Sequence, residues 1–168
     1  MLPARSALYT APGDQRPAQR EPSDRPPTRV VPRKNIELSI ELLRQLGDPR
    51  LKLVVTHHAG DEGVEYLAQL YRLARLARVD FRYVAERFAP ARQVAPDGRK
   101  IYSLWDAYPL AELVTYPSTV EGFGNAFLEA IYFRRPLFVN RYEVYKSDLE
   151  KLGFRCVAVN NAITPQAL

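Results

Sequence analysis

The chain has 168 residues, 46% of them hydrophobic, and a formal net charge of +5 at pH 7. This length is enough for one domain with a buried core and too short for two Rossmann domains. The basic residues are dispersed among acidic ones and form no dense block, so we predict no nucleic-acid partner.

The sequence also bears on cellular location. No apolar run reaches the roughly eighteen residues of a transmembrane helix, and the start of the chain lacks the apolar segment of a secretory signal. Cys156 is the single cysteine, which excludes an internal disulfide and fits a reducing cytosol. We predict a cytoplasmic protein without a transmembrane segment, and leave peripheral contact with a membrane surface open.

The first 27 residues differ in composition from the rest of the chain. They are rich in Pro, Arg, Gln and Asp, and their apolar residues recur at no structural period. Such a segment cannot bury enough apolar surface to offset the entropy lost on ordering. We predict a disordered tail over residues 1–27 and a folded domain over residues 28–168.

The predicted domain begins with a short strand at residues 28–31, followed by a helix that Asn35 can cap and Gly47 ends. One face of this helix is apolar and is formed by Ile36, Ile40, Leu43 and Leu46. Pro26 and Pro27 directly precede the strand, and proline cannot donate a hydrogen bond to a sheet. Because this strand should be central in the sheet, we expect it to be truncated.

A second strand at residues 51–55 leads towards His57 and His58. Ligands of open α/β sheets bind outside the carboxyl ends of the strands, so either histidine could touch a substrate. Neighbouring strand residues point to opposite faces, which makes the pair a poor metal site. Histidines held by hydrogen bonds in a loop are the safer interpretation. Asp61 can cap the helix that follows.

Strands and helices alternate along the rest of the chain. We predict strands at residues 80–84, 112–116, 136–139 and 154–159, a polar loop at 86–100, and helices at 101–108, 126–132 and 145–152. This alternation predicts an α/β fold with a doubly wound parallel sheet of the Rossmann-like kind.

Residues 113–132 read as a strand, a glycine turn and a helix. Gly122 and Gly124 allow a tight turn, and Asn125 can cap the helix, whose first N–H groups favour an anion such as phosphate. A dinucleotide fingerprint would need a third glycine where Phe127 stands, and its turn would follow the first strand rather than the fourth. The phosphate-binding motif G-x4-G-K-[ST] is also absent from the sequence.

Two acids, Glu121 and Glu129, flank this helix start with seven residues between them. From the residues alone, solvated acids beside a structural turn are an alternative to a ligand site. The segment at 115–131, TYPSTVEGFGNAFLEAI, resembles the E-x7-E region of the retaining glycosyltransferases of family 4, the group 1 transferases. The resemblance extends over residues 28–159 and implies one C-terminal-type Rossmann-like half of a GT-B enzyme, which we expect to be incomplete at both ends.

The resemblance implies that Arg29 and Lys34 hold the pyrophosphate of a nucleotide-diphosphate sugar. Charge builds on these oxygens as the glycosidic bond breaks, and two fixed cations can stabilise it. We therefore expect no metal and no cofactor at the site.

The resemblance also implies roles for the glycine turn and its acids. Glu121 would be the catalytic residue beside the donor sugar hydroxyls, and Glu129 would hydrogen-bond the ribose. The backbone N–H groups around Phe123, Gly124 and Asn125 would meet sugar and phosphate oxygens.

The implied function is transfer of a sugar to an acceptor hydroxyl with retention of configuration. The family builds its active site between two domains, and the acceptor-binding domain is absent from this sequence. The alternative is therefore a catalytically incompetent fragment, or a nucleotide-binding half that needs a separate N-terminal acceptor domain.

Overall fold

The computed structural model describes the backbone of residues 8–10, and residues 30–59, 64–122 and 124–164 with their side chains. The strands in these ranges are β1 (Leu8–Thr10), β2 (Lys52–Val55), β3 (Asp80–Tyr83), β4 (Phe88–Ala89), β5 (Gln93–Val94), β6 (Lys100–Ser103), β7 (Leu113–Tyr116), β8 (Leu137–Asn140) and β9 (Val157–Val159). The α-helices are α1 (Ile36–Leu46), α2 (Val64–Ala77) and α3 (Asn125–Tyr132).

The helix α1 has the predicted ends. Asn35 precedes it with a φ of 49°, a left-handed conformation that asparagine tolerates. Gly47 follows it with a φ of 64°, and its N–H donates to the Leu43 carbonyl at 3.0 Å. None of the described helices is both long enough and apolar enough to span a lipid bilayer.

Six strands form one parallel sheet in the order β3-β2-β1-β7-β8-β9. From β1 the chain builds outward on one side through β2 and β3, and then on the other side through β7, β8 and β9. The sheet is therefore doubly wound, which confirms the predicted fold class. Its winding reverses between β1 and β7, and the carboxyl ends of strands at such a point form the usual ligand crevice.

The central strand β1 lies where we predicted disorder. It pairs with two neighbours at once, and Tyr9 is in register with Val54 of β2 and Val114 of β7. The prediction for residues 1–27 is wrong for Leu8–Thr10, and the rest of that segment lies outside the described residues. Three residues are too few to show a strand period, and the two partners that hold them are distant in sequence.

The strand predicted at residues 28–31 is also corrected where it is described. Val30 and Val31 belong to no strand, although the Val30 N–H donates to the His58 carbonyl at 2.9 Å. Residues 28 and 29 lie outside the described part of the chain. The central place in the sheet that we gave to this segment is taken by β1.

The helix predicted at residues 101–108 is wrong in its first half, because Ile101 and Tyr102 belong to β6. This strand pairs in parallel with β4 and in antiparallel with β5, both inside the predicted polar loop. Ser103 and Asp106 then cap a 3-10 turn at Leu104–Asp106. Ile101 is β-branched and Tyr102 is aromatic, and both types of residue favour a strand. So short a run, however, fits the period of a helix as well as that of a strand.

Two apolar clusters pack on the two halves of the sheet. The cluster on the β2 side includes Ile36, Ile40, Leu43, Leu53 and Leu70. The cluster on the β7 side includes Tyr108, Tyr116, Phe127, Leu137 and Leu149. Leu38 and Leu42 of α1 pack with Phe138 of β8, so α1 also contacts the β7 side of the sheet.

We predict that Tyr9→Pro will destabilise the protein strongly, because proline removes an N–H from a strand that is paired on both sides. The expected loss is about 3 kcal/mol of unfolding free energy, measured by urea unfolding. Gln15→Pro is the control, since it falls in the segment predicted to be disordered. Equal, small effects of both variants would contradict a central β1.

Candidate functional site

The described site residues gather where the winding of the sheet reverses. Lys34 ends the 3-10 turn Pro32–Lys34 before α1, and Glu121 follows β7. Gly124 and the start of α3 come directly after, so both segments stand at the carboxyl edge of the sheet. Arg29 and Phe123 lie outside the described residues.

Lys34 and Glu121 form a buried ion pair. The Lys34 ammonium donates a hydrogen bond to Glu121 Oε1, and each side chain is 1% exposed. Lys34 Nζ also lies 6.0 Å from the ring centroid of Tyr116, the last residue of β7. The burial of a lysine and a glutamate is tolerated only when the charges are paired. The structure thus joins two residues that the sequence predicted separately.

The segments that carry this pair are held together by their backbones. The Arg33 carbonyl accepts hydrogen bonds from the N–H and the hydroxyl of Thr119, at 2.9 Å and 3.2 Å. Arg33 Nη1 donates to the Val120 carbonyl at 3.3 Å and lies 3.5 Å from Glu121 Oε1. A second, half-exposed cation therefore reaches the same carboxylate.

The glycine turn before α3 needs a glycine at position 124. Its φ is +87°, and a Cβ there would lie 2.6 Å from the hydroxyl oxygen of Tyr142. Gly124 is also the N-cap, and its carbonyl accepts the Phe127 N–H at 2.9 Å. Asn125, which we predicted as the cap, is instead the first helical residue. A glycine in a left-handed conformation can be the N-cap through its backbone alone. The sequence pattern did not show which of the two neighbours, Gly124 or Asn125, would be the N-cap.

Glu129 is oriented by a tyrosine from outside its helix. The hydroxyl of the fully buried Tyr108 donates to Glu129 Oε2 at 2.6 Å. Tyr108 is stacked on Phe133, with ring centroids 5.1 Å apart. From the sequence we predict that the aromatics of this segment lie in the core, but the hydrogen bond could not be predicted, because Tyr108 and Glu129 are 21 residues apart.

His57 does not fit the hydrogen-bonded loop histidine that we predicted. It is 2% exposed, and neither ring nitrogen has a hydrogen-bond partner among the described residues. Burial, and then the charges of Lys34 and His58, lower the pKa of His57 to about 3. The imidazole is therefore neutral beside the buried Lys34–Glu121 pair, whereas His58 is exposed.

Tyr116 and Tyr142 form the aromatic wall behind Gly124. Their rings meet edge to face with centroids 5.8 Å apart. Burial, and then the negative charge of Glu121, raise the pKa of Tyr142 above its usual range. The Tyr142 phenol therefore stays neutral at physiological pH and can act as a hydrogen-bond donor.

A groove of about 810 Å³ opens beside the small sheet of β4, β5 and β6. Its lining includes Phe88, Ile101 and Arg92, and Arg92 holds the pKa of Asp106 below its usual range by a hydrogen bond. None of the described site residues lines this groove. No group of three or more His, Cys, Asp or Glu side chains in the described part of the chain is placed to hold a metal.

We predict that Gly124→Ala will cost about 1–3 kcal/mol of unfolding free energy, because it adds a clash with Tyr142 to an unfavourable backbone conformation. Gly98→Ala is the matched control, since Gly98 has a φ of +81° but nothing within 4 Å of its Cβ position. Urea unfolding should show the larger loss for Gly124→Ala. Equal losses would mean that the Tyr142 contact is unimportant.

We predict that stability will fall as the pH drops below the pKa of an unfolded histidine, 6.5, because folded His57 stays neutral down to about 3. The unfolded state binds more protons in this window, so the loss from pH 7 to pH 5 should be about 2 kcal/mol. Urea unfolding of His57→Gln should lack this part of the pH dependence. His58→Gln, at the exposed neighbour, should retain it, and identical slopes in all three proteins would refute the assignment.

No protein-family model matches the chain. Curated relatives named mannosylglucosylglycerate synthase match 80% of it: the Petrotoga mobilis protein is 32% identical over 151 residues, and the Thermotoga maritima protein is 33% identical over 144 residues. The matches cover 34% and 33% of those proteins. The chain therefore spans about a third of the length of these relatives.

The fold is similar to that of the Anabaena protein Alr3699/HepE. Its complex with UDP gives a TM-score of 0.60 at 16% identity, over 93% of this chain and 35% of that chain. Its complex with UDP-glucose gives 0.59 at 15% identity, over 94% and 35%. At such identity the likeness shows the fold alone. Together with the sequence relatives, it confirms the predicted resemblance: the chain has the Rossmann-like fold of one half of a GT-B glycosyltransferase.

Proposed function

We propose that this chain is the donor-binding domain of a retaining glycosyltransferase of the group 1 kind. It would bind a nucleotide-diphosphate sugar, whose sugar is transferred to an acceptor hydroxyl with retention. The observation that carries the proposal is the convergence of Lys34, Glu121 and the start of α3 at the carboxyl edge where the sheet reverses its winding.

The relatives support a nucleotide-sugar donor. HepE, whose fold is similar, has been solved with UDP and with UDP-glucose. The curated relatives are named for the synthesis of a mannosylated compound. A hexose carried on a nucleoside diphosphate is therefore the class of donor that we propose.

In this proposal the diphosphate binds between cations and the helix start. Lys34 and the predicted Arg29 would stabilise the charge that develops on the leaving diphosphate as the glycosidic bond breaks. The positive end of the α3 dipole and the N–H groups around Phe123, Gly124 and Asn125 would add to this stabilisation. Such an arrangement supplies positive charge from the protein itself, so a metal-free site stays our prediction.

The two carboxylates would hold the sugars on either side of the diphosphate. Glu129 would accept hydrogen bonds from the ribose hydroxyls, and the bond from Tyr108 fixes one of its oxygens in advance. Glu121 would face the hydroxyls of the donor sugar beside the reacting carbon. A carboxylate accepts up to four hydrogen bonds, so each acid can serve a ligand while keeping a protein partner.

A second candidate follows from the length of the chain relative to its relatives. Because the match covers about a third of them, the acceptor would be bound by a separate N-terminal domain. In that case this chain binds the donor but transfers no sugar by itself. Donor binding is common to both candidates and is the property to measure first.

We predict that one nucleotide family will raise the unfolding temperature of the purified protein. A panel of UDP, GDP, ADP and their sugar conjugates tests this by thermal shift. A ligand present at about a hundred times its dissociation constant should stabilise the fold by about 2.7 kcal/mol. A cooperative transition that no nucleotide moves would count against the proposed site while leaving the fold unaffected.

We predict that Glu129→Ala will weaken binding of the selected nucleotide by about 1–3 kcal/mol, because it removes a charged hydrogen-bond acceptor. Titration calorimetry measures the change. Glu112→Ala is the control, since Glu112 is exposed and stands at the opposite, amino end of β7. Unchanged affinity in Glu129→Ala would refute the ribose assignment.

A further inference from the structure

The buried pair of Lys34 and Glu121 joins two groups that would hold different parts of one donor. In the proposed function, Lys34 binds the diphosphate and Glu121 binds hydroxyls of the sugar. In the structure the two side chains bind each other, with 1% of each exposed. The Glu121 carboxylate is thus bound to the cation that would bind the diphosphate.

Glu121 also lies close to a second cation, the Arg33 guanidinium. Arg33 Nη1 lies 3.5 Å from the same Oε1 atom that accepts the Lys34 hydrogen bond. A single carboxylate oxygen therefore lies against an ammonium and a guanidinium. Two cations converging on one oxygen is also the arrangement that binds a phosphate oxygen.

Hydrogen bonds hold Ser118 and Thr119, the residues shortly before Glu121. Thr119 is hydrogen-bonded to the Arg33 carbonyl through its N–H and its hydroxyl. The buried Asn140 donates from Nδ2 to the Ser118 carbonyl at 3.2 Å. We therefore expect the exchange of partners at Lys34 to come from rotation of side chains, with Glu121 remaining close to the cation.

We propose that Glu121 is an internal competitor for the diphosphate, which makes the site select nucleotide sugars over nucleoside diphosphates that carry no sugar. This inference rests on the proposed donor site and adds a specificity role to Glu121.

The selectivity follows from the charges. A diphosphate at Lys34 brings negative charge next to a buried carboxylate, and like charges repel strongly where little water screens them. A sugar hydroxyl is a hydrogen-bond donor, so it gives Glu121 a partner in place of Lys34. A nucleotide sugar brings a diphosphate to Lys34 and a hydroxyl to Glu121, and so compensates for the broken ion pair. A diphosphate without a sugar leaves the repulsion in place.

The exchange would also favour release of the product. After transfer, the nucleoside diphosphate lacks the sugar that engaged Glu121. The carboxylate is then again available to Lys34 and competes with the bound diphosphate. The pair would thereby weaken binding of the leaving nucleotide without a movement of the domain.

Inorganic pyrophosphate tests the competition without reference to any base or sugar. We expect the full chain with Glu121→Gln to bind pyrophosphate about tenfold or more tighter than the wild type, since one charged partner of Lys34 is removed. Titration calorimetry gives the affinities, and pyrophosphate should raise the unfolding temperature of the variant more than that of the wild type. Glu112→Gln, which removes a remote exposed acid, should match the wild type.

The double variant Lys34→Met with Glu121→Gln removes both buried charges and should lose the gain in pyrophosphate affinity. The proposal is overturned if Glu121→Gln binds pyrophosphate no better than the wild type, or if the double variant retains the gain. Should Glu121→Gln unfold on its own, recovery of its folded state by pyrophosphate supports the proposal, and failure to recover counts against it.

The nucleotide that the thermal-shift panel selects tests the specificity role. The ratio of its affinities with and without the sugar should fall about tenfold in Glu121→Gln, and an unchanged ratio overturns the inference. If wild-type protein ignores every nucleotide sugar while Glu121→Gln still gains affinity for pyrophosphate, the proposed donor function fails and the competition at Lys34 stands.

Discussion

The whole fold depends on the pairing of β1 with two strands at once. Leu8–Thr10 is hydrogen-bonded to β2 on one side and β7 on the other, so the two halves of the sheet, each with its own apolar cluster, meet at three residues. The carboxyl ends of these central strands set the crevice in which Lys34 and Glu121 meet. The packing of α1 onto Phe138 adds a second connection between the halves.

The buried ion pair is a further bond between the halves, because Lys34 precedes α1 and Glu121 follows β7. Such a pair contributes little net stability, since removing two charges from water costs about as much as their attraction returns. Loss of one partner is far more costly than loss of both. A buried pair of this kind therefore fixes the relative position of two loops, and in this protein those loops carry the residues of the proposed site.

Much of this arrangement could be predicted from the sequence. The strand, turn and helix around Gly124 were predicted from one apolar run and two glycines, and the ends of α1 were predicted from Asn35 and Gly47. In contrast, β1 could not be predicted, because three residues in a polar context carry no period. The pairing of Lys34 with Glu121 was missed for a related reason: 87 residues separate them, and only the parallel sheet brings them together.

The helix α3 begins at the proposed site, and the residues at its other end pack against the single tryptophan of the chain, Trp105. Trp105 packs against Phe133 with ring centroids 6.0 Å apart and against Tyr132 at 6.2 Å, and 56% of it is exposed. A shift of α3 along its axis would change the contact of this indole with water. The chain therefore contains a natural fluorescent reporter, whose emission would follow ligand-induced movement of the helix without any label.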